Sequence, residues 1–247
     1  MAEMSGAGNG IGVIEVGPGI GVLTCELAKL ADKVTAIELD KRLIPVLDET
    51  LGEFRNVKII NGDVMELDLH KLIEEEFGGM RVVVCANLPY YITSPVIMRL
   101  LEERLPIEAI TVMVQKEAAQ RICAPVGTRQ CGAVTCAVNY YAEAEMLFSV
   151  SAGSFMPPPK VDSAVIRLSI RQNPPVETVN EEKMFAVIKA AFAQRRKTVV
   201  NSLSNSLHIE KQNVTKALSE SGIPLNARAE QLSLEQFAAV SDAIFSE

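Results

Sequence analysis

The chain has 247 residues, with 24 Lys and Arg against 31 Asp and Glu, which gives a formal net charge of −7. Hydrophobic residues make up 48% and charged residues 22%, an ordinary globular composition that excludes a disordered, collagen-like or supercharged protein. No run approaches the ~18 consecutive apolar residues that a membrane span needs, and the first residues lack the basic and apolar regions of a secretory signal. We therefore expect a cytoplasmic protein that does not contact a membrane.

The five cysteines are odd in number, and no two are spaced as C-x-x-C. Several lie inside apolar runs, such as the run that ends at Cys85. We interpret them as small buried hydrophobic residues in a reducing cytosol. The only histidines, His70 and His208, are distant in sequence from every cysteine, so the sequence favours neither a zinc site nor a Cys-His nucleophile pair.

From residue 12 to about residue 122, short β-branched runs alternate with longer amphipathic stretches. This alternation predicts βαβ units around a mostly parallel sheet that is buried on both faces. Two more strand-like runs then follow each other without a helix, which predicts an antiparallel pair at one sheet edge. The predicted strands are Gly12–Val16, Lys33–Leu39, Val57–Ile60, Arg81–Ala86, Ile107–Val114, Val134–Tyr141 and Val161–Ile170, and the predicted helices lie around 21–30, 41–52, 67–77 and 94–104.

A proline pair at residues 174 and 175 predicts a linker, because proline cannot donate to a strand ladder and disfavours helix in the residue before it. Beyond it the spacing of apolar residues is helical throughout. We predict two domains, an α/β domain at 1–173 and a small all-helical domain at 174–247. The predicted helix-capping and helix-stop residues are Thr178 with Glu181, Ser233 with Gln236, and Gly222 with Pro224.

The first candidate site is a glycine-rich turn, Gly17, Gly19 and Gly21, between a predicted strand and a predicted helix. Its G-x-G-x-G spacing differs from the G-x-G-x-x-G of dinucleotide sites. The acidic Glu15 just before the turn would repel phosphates and suits a zwitterionic amino-acid tail. A plain tight turn is the alternative interpretation of the glycines alone.

Acidic residues at the ends of the next two predicted strands extend this candidate site. Glu38 can accept hydrogen bonds from both hydroxyls of a ribose diol, and Asp63 can accept one from the exocyclic amine of adenine. Individually, each is typical of an exposed loop carboxylate. Ligands of open α/β sheets bind at the carboxyl edge of the strands, so the combined pattern predicts an S-adenosylmethionine site.

The tetrapeptide Asn87-Leu88-Pro89-Tyr90 ends the fourth predicted strand. The amino group of a nucleobase is a poor nucleophile, and it needs acceptors that hold both of its N–H groups. The Asn87 side-chain oxygen and the Leu88 carbonyl can serve as these acceptors, while Pro89 stiffens the turn. Tyr90 offers a ring on which an extruded base can stack. The alternative is a strand-to-helix turn with a buried aromatic residue.

This tetrapeptide, placed after the glycine turn, resembles the ribosomal RNA adenine N6-methyltransferases. The segment 155–163 is similar to their second base-binding loop, and 191–203 resembles a helix-turn of the KsgA/RsmA branch. The resemblance runs from about residue 12 to the C-terminus. It departs from the family at the start, where only about eleven residues precede Val13 and none resembles the family's Gly-Gln-Asn-Phe-Leu-type segment. At Cys131 the family often has an aromatic residue.

The resemblance implies a Rossmann-like class I S-adenosylmethionine-dependent methyltransferase domain, with an antiparallel sheet edge, and a helical rRNA-binding domain. It implies dimethylation of N6 of two adjacent adenines near the 3′ end of 16S rRNA, within immature 30S particles. Phe155 would cover the second face of the adenine. The implied cofactor-binding positions are Gly17, Glu38, Asp63 and Asn87.

Recognition of RNA by an acidic chain requires local clustering of basic residues, because phosphate neutralisation supplies most unspecific affinity. The run Arg195, Arg196 and Lys197 is the candidate RNA-binding cluster, and a solvated helix face is the alternative. Two other functions also stay open. One is a catalytically silent small-subunit assembly factor, and the other is a resistance-type methyltransferase of large-subunit rRNA. We expect no metal cofactor and a monomer.

Overall fold

The computed structural model describes residues 1–194 and 196–245 of the chain. These residues form two compact units, Met1–Ala119 with Ala142–Ile170, and Gln120–Tyr141 with the described residues from Arg171 onward. The break after residue 170 is close to the predicted boundary at residue 173. Residues 120–141 differ from the prediction, because they belong to the second unit and were expected in the α/β domain.

The first unit is built on a seven-stranded sheet of order β3-β2-β1-β4-β5-β7-β6. The first five strands are parallel, and β7 runs antiparallel to both β5 and β6. The Rossmann-like fold with an antiparallel edge is therefore confirmed. The strands are β1 (Ile11–Val16), β2 (Lys33–Glu38), β3 (Val57–Asn61), β4 (Arg81–Ala86), β5 (Ala109–Gln115), β6 (Ala142–Val150) and β7 (Ser163–Ile170).

The interior strand β1 is buried along its whole length, as expected for a parallel strand with helices on both faces. Gly12 in this strand faces Phe77, and a Cβ atom at Gly12 would lie 2.2 Å from the Phe77 Cδ1 atom. Only glycine therefore fits the sheet surface here.

The helices of the described residues are α1 (Val22–Leu30), α2 (Ile44–Leu51), α3 (Leu69–Phe77), α4 (Tyr90–Glu102), α5 (Lys116–Ile122), α6 (Ala133–Tyr141), α7 (Glu181–Phe192), α8 (Val199–Leu207), α9 (Lys211–Glu220) and α10 (Leu234–Phe245).

The prediction of a strand at Val134–Tyr141 is wrong, since this segment is helix α6. Periodicity cannot distinguish a short apolar run in a strand from one in a buried helix, and most of α6 is buried. Its last two residues donate hydroxyl hydrogen bonds to Glu181 at the start of α7, within the second unit. The predicted antiparallel pair exists, but its first member is β6.

The caps of the C-terminal helices agree with the predictions in two of three cases. Ser233 and Gln236 form the expected reciprocal pair, with distances of 3.0 and 3.3 Å between backbone nitrogens and side-chain oxygens. Gly222 has φ +67° and ends α9 as predicted. Thr178 is not a cap, because its hydroxyl donates to Asp242, and α7 instead begins after Asn180.

In the part of the chain that the structure describes, no helix combines the length and hydropathy needed to cross a bilayer. The same residues contain no group of three or more His, Cys, Asp or Glu side chains arranged to hold a metal ion.

Candidate active site

The glycine turn connects β1 to α1 with a left-handed backbone at each glycine. The φ values are +70° at Gly17, +61° at Gly19 and +87° at Gly21, a region in which other residues are strained. The Gly17 N–H donates to the Ile37 carbonyl at 3.0 Å, which fixes the turn to the end of β2. A Cβ atom at Gly17 would lie 3.0 Å from the Leu88 side chain. The turn therefore lies against the end of β4.

Glu38 is the last residue of β2, and its side chain is buried. One carboxylate oxygen accepts a hydrogen bond from the Gly19 N–H at 3.2 Å, and the other accepts one from the Asp40 N–H at 2.7 Å. A carboxylate has about four acceptor positions, so each oxygen can still accept one more hydrogen bond. Glu38 is thus oriented by the backbone and is able to receive two adjacent hydroxyls.

A pocket of about 360 Å³ lies at the carboxyl ends of β1 to β4, and we call it the Glu38 pocket. It brings together five of the predicted site residues from four separate segments. The pocket adjoins the point at which the strand order reverses between β1 and β4, where open α/β sheets bind ligands. The predicted residues that line it are Gly17, Glu38, Asp63, Leu88 and Pro89.

A second pocket, of about 470 Å³, is lined by Glu15, Gly17 and Asn87 together with the first three residues of the chain. We call it the Glu15 pocket, and Gly17 contributes to both pockets. Glu15 is 1% exposed, and its Oε2 atom has no hydrogen-bond partner among the described residues. Burial raises the pKa of this carboxyl group to about 7. An unpaired buried carboxylate oxygen at a pocket wall is a position for a cationic or hydrogen-bonding ligand group.

The sequence already indicates Glu15 as a residue that suits a zwitterionic ligand tail. It is the penultimate residue of β1, whose other residues are apolar or glycine. Buried carboxylates without partners are costly, and they concentrate at functional sites.

The Asn87–Tyr90 turn links β4 to α4. Asn87 is exposed and lines the Glu15 pocket, while Leu88 is buried and lines the Glu38 pocket. The Pro89 carbonyl accepts a hydrogen bond from the Thr93 hydroxyl at 3.0 Å, which fixes the first turn of α4. Asn87 therefore lies at solvent-accessible space beside the glycine turn.

Two aromatic residues, Tyr90 and Tyr91, begin α4 at this turn. The Tyr90 hydroxyl shares a hydrogen bond of 2.8 Å with the Ser163 hydroxyl at the start of β7. Tyr91, which was not predicted, is 85% exposed and lines the Glu38 pocket. Phe155 is half-buried in the loop between β6 and β7. Within the described residues, the predicted catalytic and cofactor-binding residues that line neither pocket are Gly19, Gly21, Tyr90 and Phe155.

Arg196 and Lys197 of the predicted basic cluster belong to the second unit, after the end of α7. Arg196 and Lys197 are exposed and line a pocket of about 230 Å³ together with Arg129 and Arg228. We call this the cationic pocket. Arg195 lies outside the described residues.

Comparison with known proteins gives one consistent family. Residues 5–245 match the family model for ribosomal RNA adenine dimethylase. A ribosomal RNA small subunit methyltransferase A from Shouchella clausii (strain KSM-K16) is 49% identical over a 249-residue alignment, which covers 100% of this chain and 84% of that protein. The protein of the same name from Alkaliphilus oremlandii (strain OhILAs) is 49% identical over 231 residues, which cover 93% of this chain and 80% of that protein.

Two solved structures share the fold over most of the chain. The crystal structure of the 23S rRNA methyltransferase ErmE has a TM-score of 0.70 and 28% identity, and covers 98% of this chain and 94% of that chain. A dimethyladenosine transferase from Plasmodium falciparum has a TM-score of 0.71 and 25% identity, and covers 93% and 88%.

Proposed function

The chain belongs to the ribosomal RNA adenine dimethylase family, and we propose that it methylates N6 of two adjacent adenines near the 3′ end of 16S rRNA. The product is N6,N6-dimethyladenosine, formed in immature 30S particles. The observation that carries this proposal is the position of Asn87. Its exposed amide follows β4 and lines a pocket that shares Gly17 with the pocket of Glu38.

The residues at the two pockets fit S-adenosylmethionine as methyl donor. The oriented carboxylate of Glu38 suits a ribose diol, and Asp63 in the same pocket suits the amine of adenine. The unpaired oxygen of Glu15 suits the ammonium group of the amino-acid tail. When bound, this cofactor supplies an electrophilic methyl group on a positively charged sulfur.

The chain's own residues then prepare the nucleophile. The Asn87 side-chain oxygen and the Leu88 carbonyl accept the two N–H groups of the target amine and orient its lone pair toward the reacting carbon. No side chain needs to remove a proton before attack, since the nitrogen becomes acidic only after it is alkylated. Tyr90, held at Ser163 by its hydroxyl, presents a ring on which the extruded base stacks.

Binding of the RNA is assigned to the exposed basic residues of the second unit. Arg196 and Lys197 are exposed in this otherwise acidic protein, and Arg195 precedes them in sequence. A local cation cluster on an acidic chain favours binding to a shaped ribosomal surface over binding to free RNA. The net negative charge of the chain repels phosphates and so opposes unspecific contacts.

Transfer of tritiated methyl groups from S-adenosylmethionine tests the proposal. We expect transfer to unmethylated small subunits and none to large subunits. In Asn87→Ala, loss of one preorganised acceptor should reduce turnover by about 100-fold or more, while calorimetry still detects cofactor binding.

Two results would contradict this function. Absence of transfer, with undiminished binding to immature particles, would instead indicate an assembly factor. Transfer to large subunits would indicate the resistance-type activity.

A further inference from the structure

The sulfur atoms of Cys131 and Cys136 lie 3.5 Å apart in the second unit. Cys131 lies two residues before the start of α6, and Cys136 lies in the first turn of that helix. Both side chains are buried, and both cysteines carry free thiols. Two thiols in contact can react with each other, unlike the isolated buried cysteines expected from the sequence.

Hydrogen bonds fix the backbone segment that carries the pair. The Gly132 N–H donates to the Thr135 hydroxyl oxygen at 2.9 Å, and the Thr135 hydroxyl donates to the Arg121 carbonyl at 2.8 Å. The Cys136 N–H donates to the Gly132 carbonyl at 3.0 Å and forms the first turn of α6. The proximity of the two sulfurs is therefore a consequence of an ordered helix start.

Cys131 is one of the residues that line the cationic pocket. Arg129, Arg196, Lys197 and Arg228 contribute four positive charges to this pocket, against the single carboxylate of Glu230. Positive charge favours a thiolate over a thiol, whereas the Glu230 carboxylate raises the pKa of Cys131 and opposes this effect. Cys131 is 5% exposed and lines this pocket, whereas Cys136 is 0% exposed and is not part of the pocket lining.

The contact between the thiols distinguishes their roles. The hydrogen bond from Cys136 lowers the pKa of the Cys131 thiol, and the same contact raises the pKa of Cys136. Cys131 is therefore the sulfur that reacts first as a thiolate. Cys85, in contrast, is enclosed in β4, and burial raises the pKa of its thiol to about 12.

We propose that Cys131 and Cys136 form an oxidisable dithiol site for hydroperoxides, in which Cys131 attacks and Cys136 resolves. The Cys131 thiolate attacks one oxygen of hydrogen peroxide, the O–O bond breaks, and hydroxide leaves and takes a proton to form water. The resulting S–OH group is attacked by the Cys136 sulfur, which releases the second oxygen as water with the Cys136 proton. One peroxide is reduced to two waters while two thiols become one disulfide.

Formation of the disulfide requires only a local movement. The sulfur atoms must approach from 3.5 Å to the ~2.05 Å of a disulfide bond. Side-chain rotation and a small shift of the segment before α6 can bring them this much closer. The reaction is independent of methyl transfer, so failure of the proposed function would leave this inference untouched.

Thiol mapping of the whole chain tests the site. The protein is treated with limiting hydrogen peroxide, alkylated and digested with trypsin, which releases both sulfurs on the single peptide 130–160. We expect this peptide to become lighter by two hydrogen atoms and to lose both alkylation sites, and dithiothreitol to restore them. Cys25, which is half-exposed and lies on another peptide, should stay alkylatable.

Two single variants and one control separate the roles. In Cys136→Ser we expect a sulfenic acid at residue 131 that dimedone traps, and in Cys131→Ser we expect no oxidation of Cys136. Cys25→Ser should react like the wild type. The inference is overturned if peptide 130–160 keeps both alkylation sites at peroxide levels that already oxidise Cys25, or if Cys131→Ser reacts as the wild type does.

Discussion

At the scale of single residues, Glu15 holds its proton more tightly in the folded chain than in the unfolded chain. Burial raises its pKa from the ordinary value of 4.5 to about 7, since a carboxylate is poorly solvated inside the sheet. Between these two values the folded chain binds more protons than the unfolded chain. The contribution of Glu15 to stability is therefore fully present below pH 4.5 and is lost as the pH rises through 7.

Glu15→Gln should remove this pH dependence. Relative to the wild type, the variant should gain about 3 kcal/mol in free energy of unfolding between pH 4.5 and pH 8, at ~1.4 kcal/mol for each pKa unit. Urea unfolding of both proteins across this range measures the difference. Parallel pH profiles of the two proteins would show that Glu15 ionises normally in the folded chain.

The Tyr90 ring and the Tyr90 hydroxyl have separable roles. Tyr90→Phe keeps the stacking surface but leaves the buried Ser163 hydroxyl without this partner. We expect the free energy of unfolding to fall by about 1–2 kcal/mol with methyl transfer retained, whereas Tyr90→Ala should also lose the ~1–3 kcal/mol of base stacking. Adding Ser163→Ala to Tyr90→Phe should restore stability, because no unpaired hydroxyl remains. If Tyr90→Phe were inactive in methyl transfer but as stable as the wild type, the Tyr90 hydroxyl would have a direct role in the reaction.

At the scale of secondary-structure elements, the parallel strands were predictable because each is a short β-branched run between amphipathic stretches. Helix α6 was not predictable, since its apolar run suits a strand equally well and only contacts within the second unit favour the helix. The cap at Asn180 was missed for a related reason. Thr178 has the right spacing to Glu181, but its hydroxyl bonds to Asp242, a residue far away in sequence.

The candidate site was predictable where it depends on strand ends. Glu38 ends a parallel strand, and Gly17 and Asp63 each follow one, so topology alone brings the three residues to one edge. The unpaired oxygen of Glu15 and the contact between Cys131 and Cys136 were not predictable. Burial without a partner and a distance between two side chains are properties of tertiary packing.

Gly12 tests how tightly helix α3 packs on the sheet. Gly12→Ala places a methyl carbon 2.2 Å from the Phe77 Cδ1 atom, far inside van der Waals contact, and such overpacking costs about 1–3 kcal/mol or more of unfolding free energy. Gly8→Ala is the matched control, because no atom lies within 4 Å of its Cβ position. Combining Gly12→Ala with Phe77→Leu should cost less than the sum of the single changes. Strict additivity in thermal or urea unfolding would contradict this packing.

At the scale of the whole molecule, the distribution of charge limits how the protein can bind RNA. The chain carries −7 overall, yet four basic side chains and one carboxylate line the cationic pocket. Long-range attraction to any phosphate backbone is therefore weak, and binding depends on short-range contacts with a few phosphates. This distribution suits a protein that recognises one folded surface among many RNAs.

The salt dependence of binding measures the number of those phosphate contacts. For each contact removed, the slope of log affinity against log salt should become shallower by about 0.7–0.9. The double variant Arg196→Ala with Lys197→Ala should therefore lower the slope by up to about 2 and weaken binding to unmethylated small subunits. Lys216→Ala is the control, because Lys216 is an exposed cation of the same unit that lies 3.8 Å from Glu220. Each contacted phosphate releases counterions, so removing a phosphate contact must change the slope. A double variant with the wild-type slope would therefore show that the phosphate contacts lie elsewhere on the chain.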